Sequence, residues 1–150
     1  MIGLWSGSGE RGGGERPPWS AGVAGVSAAK GPRVLVVDDE RAILEMIEDI
    51  LRAEGYEVAA AADGEEAIRL LERWRPAVLL LDMRMPGVDG WAVARAAHAS
   101  QQNPRIVVMT AAENAARWAE EVSADAYLAK PFQLDELIAC VGSVRGRREN

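Results

Sequence analysis

Short apolar runs alternate with amphipathic stretches from residue 32 to residue 146. Val34-Leu35-Val36-Val37 is apolar and β-branched and stops abruptly at Asp38-Asp39-Glu40, which predicts a first strand. Residues 41–54 then place Ile43, Ile47, Ile50 and Leu51 on one helical face, with Gly55 positioned to end the helix. Glu57–Ala61 is a milder strand, followed by Asp63-Gly64 and a helix carrying Ala67, Ile68, Leu70, Leu71 and Trp74. The most apolar strand is Ala77–Leu81, which stops at Asp82. A helix over roughly 91–99 follows, then a strand, Ile106–Met109, that stops at Thr110. A short helix at about 113–122, a strand at Ala126–Ala129 and a helix over 133–145 close the pattern, the last with Leu134, Leu137, Ile138 and Val141 inward.

Strand and helix alternating five times predict an α/β fold, a parallel sheet covered by helices on both faces. The runs at 34–37, 78–81 and 106–109 are apolar throughout, as strands buried on both faces must be, whereas 57–61 and 126–129 suit edges. A strand order of 2-1-3-4-5 satisfies this pattern and the right-handed crossover rule. Ligands of such sheets bind beyond the carboxyl ends of the strands where the order reverses, here between the first and third strands. Asp38, Asp39 and Asp82 all fall there.

Composition narrows the partners. Apolar residues make up 49% and charged residues 27% of the 150, which suits one globular domain with a core. A net charge of −6 argues against direct nucleic-acid binding. The lone cysteine, Cys140, excludes an internal disulfide and a Cys-rich zinc site, which fits a reducing, cytoplasmic setting. No run approaches the roughly 20 apolar residues that span a bilayer, so no membrane partner is expected. Residues 1–31, rich in Gly, Ser and Ala with Pro17-Pro18, read as a flexible tail; Trp5 and Trp19 are its loosely held aromatics, and the weakly apolar Ala21–Ala29 lacks the positive start of a secretory signal. Residues 147–150 read as a short C-terminal tail.

Three carboxylates gathered after two adjacent buried strands repel one another and raise each other's pKa, so the cluster is a poor stabilising device. A divalent cation resolves the repulsion. Oxygen ligands without His or Cys suit Mg²⁺, or Mn²⁺. Either Asp38 or Asp39 alone would read as a helix cap, but the pair together with Asp82 does not. Lys130 follows the fifth strand and Thr110 the fourth, so both reach the same rim. An ammonium and a hydroxyl there can neutralise and orient a phosphoryl group on Asp82, and aspartyl phosphate is an established kind of covalent intermediate.

Val34–Glu40 (VLVVDDE), Leu80–Gly90 (LLDMRMPGVDG), Met109-Thr110-Ala111 and Ala126–Phe132 (AYLAKPF) together resemble the receiver domain of two-component response regulators. The likeness spans residues 32–146 and implies a doubly wound, flavodoxin-like receiver fold. It also implies that Asp82 is the phosphoacceptor. Asp39, Asp82 and the Arg84 backbone carbonyl would ligate Mg²⁺, with Asp38 in support. Thr110 and Lys130 would hold the phosphoryl group, and Tyr127 would be an aromatic switch that turns inward when Thr110 moves. The Lys130–Pro131 bond would be cis. The implied partners are a sensor histidine kinase or phosphotransfer protein and an unidentified downstream protein, with a homodimer through the 113–146 face as one output. Two departures fall in one region: the stretch from Thr110 to Lys130 is slightly short, and Ser123 stands where the family often has Gly. Arg84 and Ala112 occupy positions that tune dephosphorylation in this family, and Arg84 either meets the phosphate, blocks attacking water or is simply solvated.

Other residues have plainer readings. His98, the sole histidine, is a surface residue, since the four-helix pattern of histidine phosphotransfer modules is absent. Trp74, Trp91 and Trp118 lie on helices and cover the sheet, and Cys140 packs the last helix. Asp63-Gly64 and Asp89-Gly90 start helices, and Arg145, Arg147 and Arg148 form a basic terminus too short for a DNA-binding module. The expected activity is a receiver that catalyses only its own phosphorylation and hydrolysis, either alone or as a piece of a longer regulator. A haloacid-dehalogenase-type phosphatase wants a carboxylate two residues after its nucleophile, where Arg84 stands. A receiver-shaped module that is never phosphorylated would lack Asp82, Thr110 or Lys130, and all three are present.

Overall fold

The computed structural model describes residues 31–147, so the expected tails at 1–31 and 147–150 lie almost wholly outside the described residues, except that Arg147 belongs to the last helix rather than to a tail. Among the described residues ten elements alternate in chain order: β1 (Arg33–Val37), α1 (Arg41–Ala53), β2 (Glu57–Ala61), α2 (Gly64–Arg73), β3 (Val78–Asp82), α3 (Gly90–Ala99), β4 (Arg105–Ala111), α4 (Ala112–Glu121), β5 (Ala126–Lys130) and α5 (Leu134–Arg147). The strands form one parallel sheet in the order β2-β1-β3-β4-β5. This is the expected doubly wound architecture with the switch point between β1 and β3.

The period of two along each strand sorts its side chains between two cores. Val34, Val36, Val78, Leu80, Val107 and Met109 face one side, where Leu44, Ile47 and Leu51 of α1 and Leu137, Val141 and Val144 of α5 meet them. Leu35, Val37, Leu79, Leu81, Ile106 and Val108 face the other, against Ala67 and Leu71 of α2 and Val93, Ala94 and Ala97 of α3. Each fully buried Val or Leu contributes roughly 1.5–3 kcal/mol, so the three central strands are the most firmly held part of the chain. Trp74, Trp91 and Trp118 lie half-buried against the second of these cores, and Cys140 lies against the first.

Local chemistry sets the helix starts. Asp63 accepts from the Glu66 N–H at 2.9 Å and Asp89 from the Ala92 N–H at 3.1 Å, so both caps are as expected. Two details differ from the sequence reading. The last helix runs on to Arg147, beyond the expected end near 145. Leu134 is 53% exposed rather than inward. It is the first residue of α5, where the helix has yet to turn onto the sheet, and Leu137 is the first of its residues to be covered.

Candidate functional site

The site stands on the carboxyl ends of β1 and β3. Val37 and Leu81 pair in parallel register, so Asp38 and Asp82, the residues that follow them, emerge side by side. Asp38 is fully buried, Asp82 is 5% exposed and Asp39 faces solvent. One carboxylate oxygen from each of the three lies within 4.8 Å of the others. Asp38 is not the cap of α1. Glu40 holds that position with no side-chain cap bond, and Asp38 Oδ1 accepts from the Glu40 N–H at 2.9 Å. That bond turns Asp38 into the rim while its second oxygen faces across the site.

Lys130 supplies the opposing charge. It ends β5, paired in register with Ala111 of β4, which directs its side chain back over the rim. Its Nζ lies 2.7 Å from Asp38 Oδ2, 3.6 Å from Asp82 Oδ2 and 3.8 Å from Glu40 Oε1. Burial works to lower the Lys130 pKa, but the hydrogen bond to Asp38 and the charges of Asp82, Asp38 and Glu40 outweigh it and raise the value. Lys130 is thus firmly cationic. Asp82 shows the opposite balance: burial pushes it up to about 6 from 3.8, and Asp38 and Asp39 add to the rise, while the Arg84 N–H and Lys130 oppose it. The Arg84 N–H donates to Asp82 Oδ1 at 3.0 Å, which leaves Oδ2 as the oxygen turned toward Lys130.

Thr110 follows Met109, the register partner of Asp82, and is 2% exposed, so the buried hydroxyl sits one residue along from the acidic cluster's own row. Tyr127, on β5 opposite Val108, is 49% exposed. The Lys130–Pro131 peptide is cis, as expected. Ser123 has φ 55°, the left-handed conformation that favours glycine, which gives a physical reason for its unusual standing there. His98 is on the surface, with Nε2 2.7 Å from the Val122 carbonyl oxygen. Arg84 projects into solvent with its guanidinium 5.9 Å from the centre of the Trp118 ring.

The sequence reading missed one member of the rim. In the sequence Glu40 only ends the acidic run, yet its carboxylate lies near the Lys130 ammonium. Its adjacency to Asp38-Asp39 was the available signal. The donor set fits a hard divalent cation. It offers three carboxylates with no imidazole or thiolate, and buried negative charge that one ammonium only partly offsets.

Comparison with known proteins agrees with this architecture. Residues 34–142 match the family model described as "Response regulator receiver domain". The transcriptional regulatory protein PrrA of Mycobacterium tuberculosis is 42% identical over 119 residues, covering 78% of this chain and 51% of PrrA. The response regulator MprA of Mycobacterium leprae is 38% identical over 117 residues, which cover 77% of this chain and 51% of MprA. The chain thus spans about half the length of the curated relatives it matches. Among solved structures, the Vibrio cholerae chemotaxis protein CheY4 superposes with a TM-score of 0.70 at 31% identity, over 77% of this chain and 99% of CheY4. The receiver domain of the Pseudomonas aeruginosa sensor histidine kinase PA1611, whose structure has a magnesium ion coordinated in the active-site cleft, gives 0.71 at 33% identity, over 77% of this chain and 98% of that domain. Among the described residues no helix is long and apolar enough to cross a membrane. With the sheet order, the acidic rim and the family match over most of its length in agreement, this chain belongs to the response-regulator receiver domain family.

Proposed function

We propose that the chain is a phosphorylation switch in which Asp82 accepts a phosphoryl group from a phosphohistidine of a sensor histidine kinase or phosphotransfer protein. The observation that carries this reading is the arrangement around Asp82: a nearly buried carboxylate with two acidic neighbours within 4.8 Å and the Lys130 ammonium 3.6 Å from its Oδ2. In the transfer, Asp82 Oδ2 forms the new bond to phosphorus, the P–N bond to the donor imidazole breaks, and the imidazole nitrogen keeps the electron pair and takes a proton. The Arg84 N–H holds Oδ1 and so orients the attacking oxygen. Lys130 is positioned to leave Asp38 in part and meet the phosphoryl oxygens, and Thr110 offers a hydroxyl donor to another of them.

Asp39, Asp82 and the Arg84 backbone carbonyl would hold Mg²⁺, or Mn²⁺, with Asp38 in support through water or a hydrogen bond. When bound, such a cation neutralises the carboxylate cluster and the charge on the phosphoryl group. Tyr127, exposed in the unmodified protein, is the residue we assign to the switch, turning inward as Thr110 engages the phosphate. The chain catalyses its own phosphorylation and dephosphorylation and has no external product. Its output is a changed surface for a downstream protein or for a second copy through the 113–146 face. PrrA is named as a transcriptional regulator and extends well beyond the matched part, so the net charge of −6 here suits a receiver that does not itself touch nucleic acid.

The test is phosphorylation by a small acyl-phosphate donor with Mg²⁺, read on a phosphate-retarding gel. Wild type gains an acid-stable, base-labile phosphate and Asp82→Asn gains none. Equal labelling of the two proteins, or no labelling of wild type by any donor or kinase, would show that the reading is wrong.

A further inference from the structure

We propose that Trp118 is a positioning residue for the phosphoryl group on Asp82, acting through Arg84: the indole holds the Arg84 guanidinium away from the path by which water reaches the phosphorus. The inference rests on the reading of Asp82 as phosphoacceptor. Arg84 stands two residues beyond Asp82, and its own N–H donates to Asp82 Oδ1, so its side chain springs from the edge of the reaction centre. Carboxylates are close at hand, yet among the described residues Arg84 forms no ion pair. Its guanidinium lies instead over Trp118, 5.9 Å from the ring centre.

That ring is itself braced. Trp91 of α3 meets it edge-on at 5.0 Å with an interplanar angle of 67°. The Trp91 Nε1–H in turn donates to Glu121 Oε1 at 3.1 Å, so α3 and α4 together fix the face on which Arg84 rests. A shallow cavity of about 590 Å³ borders Met83, Arg84, Pro86, Asp89, Trp91 and Trp118, and leaves the arginine open space beside the indole.

Hydrolysis forms a bond from water oxygen to phosphorus and breaks the bond from phosphorus to Asp82 Oδ2. It returns the Asp82 carboxylate and releases inorganic phosphate, which carries away both of the water's protons as dihydrogen phosphate. An arginine paired with the phosphoryl oxygens occupies the approach of that water. Charge-assisted pairing to a phosphate is stronger than an exposed cation–π contact, so Trp118 sets the fraction of time Arg84 stays clear rather than forbidding the pairing. Losing the contact shifts that fraction about two- to fivefold.

The experiment measures the lifetime of phosphorylated wild type and of Trp118→Leu, Trp118→Met and Trp118→Phe, each repeated in an Arg84→Ala background and in an Arg117→Ala background. Arg117 also lies 6.0 Å from the Trp118 ring and is the competing cation. Leu or Met should lengthen the lifetime about two- to fivefold, while Phe, which keeps an aromatic face, should stay nearer wild type. The lengthening should vanish with Arg84→Ala and persist with Arg117→Ala. A merely structural role for Trp118 would act equally in all three backgrounds, and that result overturns the proposal. An unchanged or shortened lifetime in Leu and Met variants that retain the wild-type far-UV spectrum overturns it too. Wild type that takes no phosphate onto Asp82 defeats the phosphoacceptor reading, and this inference with it; phosphorylated wild type with no Arg84-dependent effect of Trp118 defeats this inference alone.

Discussion

The acidic rim and the start of α4 lie at the same, carboxyl end of the sheet but are anchored in different ways. Asp38 and Asp82 extend strands whose residues from Val34 to Val37 and from Val78 to Leu81 are all fully buried, so their positions are set by the two cores. Helix α4 buries only Ala115 and Ala119, and its first residue follows Ala111, which offers no side-chain cap. The contacts that tie it to α3 are few and near the surface: Trp118 on Trp91, Glu121 on the Trp91 indole N–H, and His98 on the Val122 carbonyl. A segment with so little buried apolar surface opens at lower free energy than the central strands. The contrast places a fixed charge cluster beside a loosely held helix, an arrangement in which a change at the rim can reach the surface without disturbing the core.

If burial holds the rim in place, its largest energetic signature is the proton on Asp82. Burial pushes this carboxyl up to about 6 from 3.8. A raised carboxyl pKa means that the folded protein binds the proton more tightly than the unfolded chain. The associated stability is therefore complete below about pH 4 and is lost as pH rises through about 6. Asp82→Asn removes the charge at every pH. In the absence of Mg²⁺ the variant should match wild type near pH 4 and become the more stable of the two above pH 6, by up to about 3 kcal/mol from the linkage of the shift. Urea denaturation across that range measures the gap. A gap that is constant with pH would mean that solvent reaches Asp82 freely and that the rim is no more rigid than α4.

The same contrast is sharpened by removing one cation from each region. Lys130→Met leaves Asp38, which is fully buried, without the ammonium 2.7 Å away. Stranding a buried carboxylate is costly, and about 2 kcal/mol of stability should be lost at pH 7, less than for a deep interior pair because the Lys130 end of this one is 21% exposed. Arg117→Met removes the partner of Glu121 at 3.9 Å, where the side chains are 65% and 48% exposed. That change should stay within about 0.5 kcal/mol, as exposed pairs do. Equal losses in denaturant midpoints would erase the distinction between the two regions.

The parts of the molecule legible in the sequence are those governed by local pattern. The continuous apolar runs at 34–37, 78–81 and 106–109 marked the central strands, and their abrupt ends at Asp38, Asp82 and Thr110 marked the rim. Asp63 and Asp89 announced their helices because a short acceptor before a periodic segment can satisfy an orphan N–H. What escaped depends on side chains distant in sequence. Leu44 is a core residue of α1 that the stripe of isoleucines obscured, since a helical face about 100° wide admits several assignments of its edges. The exposure of Leu134 follows from where α5 meets the sheet, which periodicity does not report. The approach of Glu40 to Lys130 and of Arg84 to Trp118 depends on rotamers of long, flexible side chains.

The smallest effect probes the least firmly held element directly, through the two helix ends that share one capping geometry. At the end of α1 the Gly55 N–H donates to the Arg52 carbonyl at 3.0 Å and the Tyr56 N–H to the Leu51 carbonyl at 3.0 Å. At the end of α4 the Ser123 N–H donates to the Glu120 carbonyl at 3.1 Å and the Ala124 N–H to the Ala119 carbonyl at 2.8 Å. Both are Schellman turns, whose pivot residue must adopt a left-handed conformation. Gly55 does so at φ 97° without a Cβ, whereas Ser123 does so at φ 55° with one, at a steric cost of roughly 1 kcal/mol. Ser123→Gly should therefore stabilise the protein, but by only about 0.5 kcal/mol, because the glycine also gains freedom in the unfolded chain. Gly55→Ala should destabilise it by about 1 kcal/mol or more through backbone strain alone, since nothing lies within 4 Å of the added Cβ. The two changes also differ in where they act. Relieving the strain at Ser123 should slow amide hydrogen exchange in the last turn of α4 beyond the global gain, because that helix opens locally; the change at Gly55 should affect α1 only through global unfolding, because Leu44, Ile47 and Leu51 bind it to the core. Uniform exchange effects from both substitutions would show that α4 is as tightly coupled to the sheet as α1, and the contrast between rim and flank would not hold.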